Sequence, residues 1–157
     1  MNKAKSLADF QLPRWQQLPS VPLYLEQVLA LLEEWLGPYL GKEDGTILTK
    51  TMINNYVKLH FIQPPVRRKY DRLTLASLFV IAVLKPVYTI EEIGYLIRLS
   101  LGHSDPQAAY DDFCDCAEAA VSHAFHQTTM ERNTKACEPP LLLWNPCTAF
   151  ACHPSVR

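Results

Sequence analysis

The side chains best suited to chemistry lie close together in the middle of the chain. Two adjacent amides, Asn54 and Asn55, stand between Lys50 and Lys58, and a basic triplet follows at residues 67–69. An asparagine amide can pair with adenine through two hydrogen bonds, and lysine or arginine can bind guanine edges or phosphate oxygens. These residue types therefore favour contact with a nucleic acid.

Positive charge is concentrated in the same stretch of sequence. The 157 residues include 15 Lys and Arg against 16 Asp and Glu, which gives a formal net charge of −1. Residues 45–72 nevertheless carry +5, and the remainder −6, because the window has one acid, Asp71, and six bases: Lys50, Lys58, Arg67, Arg68, Lys69 and Arg72. This distribution predicts a basic face and excludes a uniformly basic, histone-like protein. The plainer alternative is that these basic side chains only face solvent and bind no partner.

Length and composition predict one folded domain with a tail. Hydrophobic residues make up 48% of the chain and charged residues 20%, enough apolar material for a core. The longest apolar run, residues 75–84, is far shorter than the roughly 20 residues that cross a bilayer, and the N-terminus has no secretory pattern. The five cysteines are an odd number, which does not describe a complete disulfide framework. We expect a cytoplasmic protein with reduced thiols and no membrane contact.

Local patterns predict two helices and an extended segment in the first half of the chain. The first helix spans residues 22–40 and is capped by Ser20, because apolar residues recur at helical spacing: Leu25, Val28, Leu32, Trp35 and Tyr39. Thr49 caps a second helix from Lys50 to about Leu59, with Met52, Ile53 and Tyr56 facing inward. The run Gln63-Pro64-Pro65 stops it, and residues 66–70 form a short basic extended segment.

Three more helices are predicted in the second half. Asp71 caps an apolar central helix that ends near Lys85, and the capping box Thr89–Glu92 opens a fourth helix to about Leu99. Residues 104–107 (SDPQ) form a second capping box, in which Ser104 caps a fifth helix. One narrow stripe on that helix suits packing against another helix and is the candidate dimer interface: Ala109, Phe113, Cys116, Ala120 and Ala124.

The expected organisation is an irregular N-terminal arm (1–20), a folded domain (21–127) and an irregular tail (128–157). Residues 139–156 contain no charge and four prolines, a composition unlike that of the rest of the chain. We expect the tail from about Asn133 to be poorly ordered and dispensable.

The order of these elements favours a known DNA-binding architecture. A helix, a basic extended segment, an apolar helix and a capped helix follow one another as in a winged helix-turn-helix. In that fold a recognition helix enters the major groove and a wing lies along the phosphates. The predicted fold is therefore mainly α, a winged helix-turn-helix with a small β wing and additional C-terminal helices.

The DNA-binding half of MerR-type regulators is similar to residues 49–58 (TKTMINNYVK), 62–65 (IQPP) and 67–70 (RRKY). In that family a capped recognition helix ends in an aromatic residue, an apolar pair and proline precede the wing, and an arginine and a tyrosine stand in the wing. The resemblance implies a MerR-like fold. Together with the residue chemistry it gives a candidate DNA-binding set: Lys50, Thr51, Asn54, Asn55, Lys58, Arg67, Arg68, Lys69 and Tyr70.

The chain also resembles a bacterial family of small proteins classed as a domain of unknown function. The similar segments are residues 12–15 (LPRW), 22–28 (PLYLEQV) and 52–58 (MINNYVK), and the resemblance covers about residues 10–127. The sequence departs from the MerR pattern at two points. His60-Phe61 follows the recognition helix where those regulators usually have glycine, and Asn54 replaces the customary arginine. Base preference is therefore not carried over from that family.

Metal and catalytic sites are weaker interpretations. Cys114 and Cys116 with His123 and His126 carry zinc-ligand atoms, but a Cys-x-Cys pair points its side chains about 200° apart on a helix. We interpret Cys116 as a core residue on the apolar stripe. The sequence has no Gly-rich phosphate loop or HExxH pattern, and no orienting signature around a nucleophile. We therefore predict neither enzyme nor cofactor nor metal.

These observations together predict a sequence-specific regulator of transcription that binds double-stranded DNA. A single short recognition helix reads few base pairs, so a homodimer on a two-part site is expected, with the fifth helix as its interface. The alternative is a protein-interaction module that keeps the winged fold and offers the face of the second helix to a partner protein.

Overall fold

The computed structural model describes residues 9–40 and 47–130, with the backbone alone for 125–130. In these ranges the fold is mainly helical with a small two-stranded antiparallel sheet, in agreement with the coarse prediction. The elements in chain order are a 3-10 helix (Trp15–Gln17), β1 (Leu23–Tyr24), α1 (Leu25–Leu40), α2 (Lys50–Lys58), β2 (Lys69–Tyr70), α3 (Arg72–Leu84), α4 (Ile90–His103) and α5 (Pro106–Met130). The predictions for residues 131–157 lie outside the described residues. No helix within the described ranges is long and apolar enough to cross a membrane.

Helix α3 forms the centre of the core. Nine of its 13 residues are buried, and Leu78 and Phe79 are completely so. Asp71 caps the helix as predicted, because its carboxylate accepts a hydrogen bond from the Thr74 amide at 2.8 Å. Burial of a leucine or phenylalanine side chain contributes about 1.5–3 kcal/mol. Phe79→Ala should therefore cost about 3–5 kcal/mol of folding free energy.

The start of α1 differs from the prediction because a strand precedes it. Leu23 and Tyr24 pair with Tyr70 and Lys69 as β1 and β2, so the helix begins at Leu25 and not at residue 22. Ser20 is therefore too distant to cap it. The amide of Tyr24 instead donates to the side chain of Gln27 at 2.9 Å.

The caps of α4 and α5 follow local sequence chemistry. Thr89 and Glu92 form the predicted capping box, and α4 continues to His103, beyond the expected end. At α5 the cap is Asp105, whose carboxylate accepts hydrogen bonds from the backbone amides of Gln107 and Ala108 at 3.2 and 3.0 Å. The predicted cap, Ser104, ends α4 instead. Proline at 106 explains the shift, because it favours the first helical position and makes the preceding residue the cap.

The N-terminal arm is fastened to α5. The guanidinium of Arg14 lies 2.9 Å from Asp115 and 2.7 Å from Glu118, and the amide of Leu12 donates to Glu118 at 2.8 Å. These contacts join residues about 100 positions apart in sequence. The described part of the arm, residues 9–20, is therefore part of the folded unit.

The arm packs on the buried face of α5, where the Cys114 thiol lies 3.8 Å from the Pro13 carbonyl oxygen. The buried side chains are Tyr110, Cys114, Ala117, Ala120 and Val121. Of the predicted stripe only Ala120 is among them, whereas Ala109, Phe113 and Ala124 are half-buried and Cys116 is exposed. The assignment of Cys116 to the core is thus wrong, and the core thiol is Cys114.

Candidate nucleic-acid interface

Residues 66–70 form a tight β-hairpin. Val66 and Lys69 exchange two backbone hydrogen bonds of 3.0 Å, which leaves Arg67 and Arg68 as a two-residue loop. Both arginines have positive φ, 51° and 64°. Positive φ at both central residues is the signature of a type I′ turn, whose twist matches that of the flanking strands.

The two arginines occupy positions that rarely hold such side chains. Asn, Asp and Gly are the usual residues of a type I′ turn, because the left-handed region costs other L-residues about 1–2 kcal/mol each. Both side chains are exposed and make no hydrogen bond or ion pair with any described residue. The hairpin therefore holds two unpaired guanidinium groups at its tip despite a conformational cost. Residues held in strained backbone conformations cluster at functional sites, so these two arginines are candidates for binding.

Helix α2 presents the predicted polar face. Thr49 caps it by accepting a hydrogen bond from the amide of Met52 at 3.2 Å, and Ile53 and Tyr56 anchor it in the core. The expected contact residues are all exposed: Lys50, Thr51, Asn54, Asn55 and Lys58. Met52 is exposed too, against the prediction, because a nine-residue helix anchored by one i, i+3 pair buries only a narrow edge.

The junction between β1 and α1 brings α2 and the hairpin to the same side of the molecule. The Lys50 ammonium lies 2.8 Å from the Glu26 carboxylate, and the Lys69 ammonium lies 4.8 Å from the centre of the Tyr24 ring. Tyr24 and Glu26 are two residues apart, so their Cα atoms are separated by at most about 7 Å. The start of α2 and the base of the hairpin therefore meet at this junction. We call the exposed side chains of α2 and of the 66–70 hairpin the basic surface.

Glu26 is the acid that faces the basic surface at this junction. The hydrogen bond from Lys50, together with its own backbone hydrogen bond and the positive charge of Lys50, lowers the pKa of Glu26. The carboxylate is consequently ionised at neutral pH and forms an ion pair with Lys50. Both side chains are exposed, so the pair is screened by water and can be exchanged for another anion.

Two residues of the basic stretch 45–72, Tyr70 and Arg72, pack against other parts of the protein. Tyr70, expected to contact DNA, is only 4% exposed, and burial raises the pKa of its phenol. Its place is inside, where it supports the hairpin. Arg72 donates a hydrogen bond to the Pro19 carbonyl at 3.3 Å and lies over the Trp15 ring at 5.7 Å, which fixes it against the N-terminal arm.

The end of α2 holds a feature that the sequence patterns did not predict. His60 has a φ of 57°, and its amide and that of Phe61 donate to the carbonyls of Val57 and Tyr56 at 3.1 and 2.9 Å. This is a Schellman closure, and histidine occupies the left-handed position that glycine usually fills. Phe61 then packs so tightly on α4 that a Cβ atom on Gly94 would lie 2.4 Å from its ring.

Residues 13–113 match a family described as a domain of unknown function, DUF1836. The chain belongs to this family. No curated protein and no solved structure matches the DUF1836 chain. The match begins in the N-terminal arm and ends in α5, so it includes the whole basic surface of this DUF1836 protein.

Two thiols lie just beyond the matched residues and differ in environment, since Cys114 is buried and Cys116 is exposed. Burial raises the pKa of the Cys114 thiol to about 12, so this side chain is neutral at physiological pH. A neutral thiol is neither a nucleophile nor a metal ligand. Across the described residues, no group of three or more His, Cys, Asp or Glu side chains is arranged to hold a metal ion.

Proposed function

We propose that this protein is a cytoplasmic, sequence-specific DNA-binding regulator of transcription with a MerR-like winged helix-turn-helix. In this proposal α2 is the recognition helix and the 66–70 hairpin is the wing. The observation that carries it is the pair of exposed, unpaired arginines held at positive φ in the hairpin turn. A turn that only had to connect two strands would be more stable with Asn-Gly.

The dimensions of the basic surface fit a DNA duplex. An α-helix with its side chains is about 10–12 Å across, so α2, about 14 Å long, can lie along a major groove about 12 Å wide with its amides toward the base edges. Asn54 and Asn55 have no side-chain hydrogen bond to a described residue, so both amides are available for pairing. Lys58 and the hairpin arginines would then neutralise phosphates on either side.

A homodimer completes the proposal. One short helix reads few base pairs, and a symmetric dimer places two such helices on half-sites about 34–36 Å apart. The candidate interface is the α5 stripe: Ala109, Phe113, Cys116, Ala120 and Ala124. All of these except Ala120 retain exposed surface on one subunit, as an interface requires.

Two single substitutions test the division of labour within the basic surface. Asn55→Ala should cost about 1–3 kcal/mol on the preferred sequence and little on random DNA, because it removes a base contact. Arg68→Ala should weaken binding to all duplexes alike and lower the salt slope by about one unit. Arg98→Gln, which removes an exposed charge from α4, is the matched control. If the first two substitutions reduce specific and random binding by the same factor, α2 does not read bases.

Exposed apolar side chains on the same surface favour one alternative, a protein-interaction module. Met52 of α2 and Val66 of the hairpin are 38% and 75% exposed, and Leu59, directly after α2, is 51% exposed. A salt titration separates the two functions. Counterion release predicts a steep loss of duplex affinity with salt, whereas the absence of duplex binding at low salt would favour a protein partner.

A further inference from the structure

An apolar cleft lies between α3, α4 and α5. Its volume is about 300 Å³, and its walls include Leu73 and Val80 of α3, Leu96 and Ile97 of α4, and Phe113 of α5. These five side chains are only half-buried, although all belong to apolar residue types. The cleft is therefore an opening into the side of the helical core.

The size of the cleft limits what can occupy it. Protein interiors are close-packed and leave few voids larger than a water molecule, whereas this cleft has room for many waters. Its volume matches the lower end of the range for small-molecule sites, about 300–1,000 Å³.

The lining also indicates the charge of the occupant. Among the described residues that line the cleft, Asp112 is the only acid and there is no lysine or arginine. Asp112 makes no ion pair with any described residue. We propose that the cleft binds a small organic cation, with an apolar body between the helices and an ammonium group beside Asp112.

Three probes with the same apolar body test this proposal on the full chain by isothermal titration calorimetry. They are 4-phenylbutylamine, 4-phenyl-1-butanol and 4-phenylbutyrate, which carry a positive, a zero and a negative charge. The amine should bind about threefold to tenfold more tightly than the carboxylate, since an exposed carboxylate changes affinity by up to about fivefold. The alcohol should lie between them.

Two variants locate the site and its charge preference. Asp112→Asn should abolish the preference for the amine and leave the binding of the alcohol unchanged. Ala109→Leu adds bulk to the half-buried α5 wall, so it should abolish the binding of all three probes and raise the melting temperature. If Ala109→Leu does not fold, Cys116→Phe blocks the cleft from an exposed rim position.

Several results would overturn the assignment. These are binding of none of the probes, equal affinity for the amine and the carboxylate, or unchanged binding in a folded cleft-filling variant. Sedimentation run in parallel covers the second-copy alternative, since a probe that dissociates an oligomer would identify a subunit contact as the native occupant. The cleft shares Ala109, Phe113 and Cys116 with the proposed dimer interface, so dissociation of an oligomer by a probe would overturn the cleft assignment and support that interface. Failure of the probes to bind would leave DNA recognition by α2 and the hairpin standing, because none of these measurements involves DNA.

Discussion

The hairpin turn offers a test in which stability and DNA binding should move in opposite directions. Arg67 and Arg68 adopt φ values of 51° and 64°, which suit asparagine and glycine better than arginine. The double substitution Arg67→Asn with Arg68→Gly therefore keeps the hairpin and removes both guanidinium groups. We expect a more stable protein that binds DNA less well.

The size of each effect follows from the turn. Left-handed conformation costs about 1–2 kcal/mol for each ordinary residue, and a new glycine lowers the free energy of unfolding by about 0.5–1 kcal/mol because it gives the unfolded chain more conformational entropy. The net gain in unfolding free energy should be about 1–3 kcal/mol, or roughly 2–12 °C in melting temperature. Loss of two phosphate contacts should lower the slope of log affinity against log salt by about 1.8 units.

Thermal unfolding by circular dichroism and duplex binding at several salt concentrations measure the two effects. The control Arg67→Lys with Arg68→Lys keeps both charges and both strained positions, so its melting temperature should not change and most of its salt slope should remain. A lower melting temperature in the Asn-Gly protein would refute the assignment of a strained type I′ turn. Unchanged DNA affinity in that protein would refute the role of the hairpin as a wing.

Three further substitutions test the surroundings of the basic surface. Glu26→Gln removes the acid at the β1–α1 junction and should raise duplex affinity about twofold to fivefold, measured by fluorescence anisotropy. Gly94→Ala forces a Cβ against the ring of Phe61 and should cost about 1–3 kcal/mol by denaturant unfolding, whereas the control Gly102→Ala meets nothing within 4 Å and should stabilise α4 by up to about 1 kcal/mol. Phe113→Glu should give helical monomers by sedimentation and circular dichroism, and unfolding instead would place that side chain in the monomer core.

Elements governed by local chemistry were predicted from the sequence. Asp71 and Thr89 cap α3 and α4 because a side-chain oxygen bonds an amide within the same turn, and that pattern needs no knowledge of the rest of the fold. The exposed face of α2 was also correct, since the polar residues recur at helical spacing. Asp105 displaced Ser104 as a cap because two adjacent residues had suitable side chains and the following proline decided between them.

Features that depend on distant parts of the chain were not predicted. The pairing of β1 with β2 moved the start of α1 and buried Tyr70, and neither strand is long enough to show alternating hydrophobicity. Cys114, and not Cys116, is buried because the N-terminal arm covers that face of α5. The type I′ turn had no sequence signal, since two arginines are not typical of it.

Helix α3 connects the two surfaces to which we assign binding. It starts at Arg72, directly after β2, and Leu73 in its first turn already lines the cleft. A ligand between α3, α4 and α5 would therefore contact the helix whose N-terminus is joined to the hairpin through Asp71. If bound DNA changes the affinity of the cleft for its ligand by some factor, the ligand must change the affinity for DNA by the same factor, because coupling between two sites is reciprocal. Saturating the cleft with 4-phenylbutylamine during a duplex titration would measure this coupling, and an unchanged DNA affinity would mean that the two surfaces act independently.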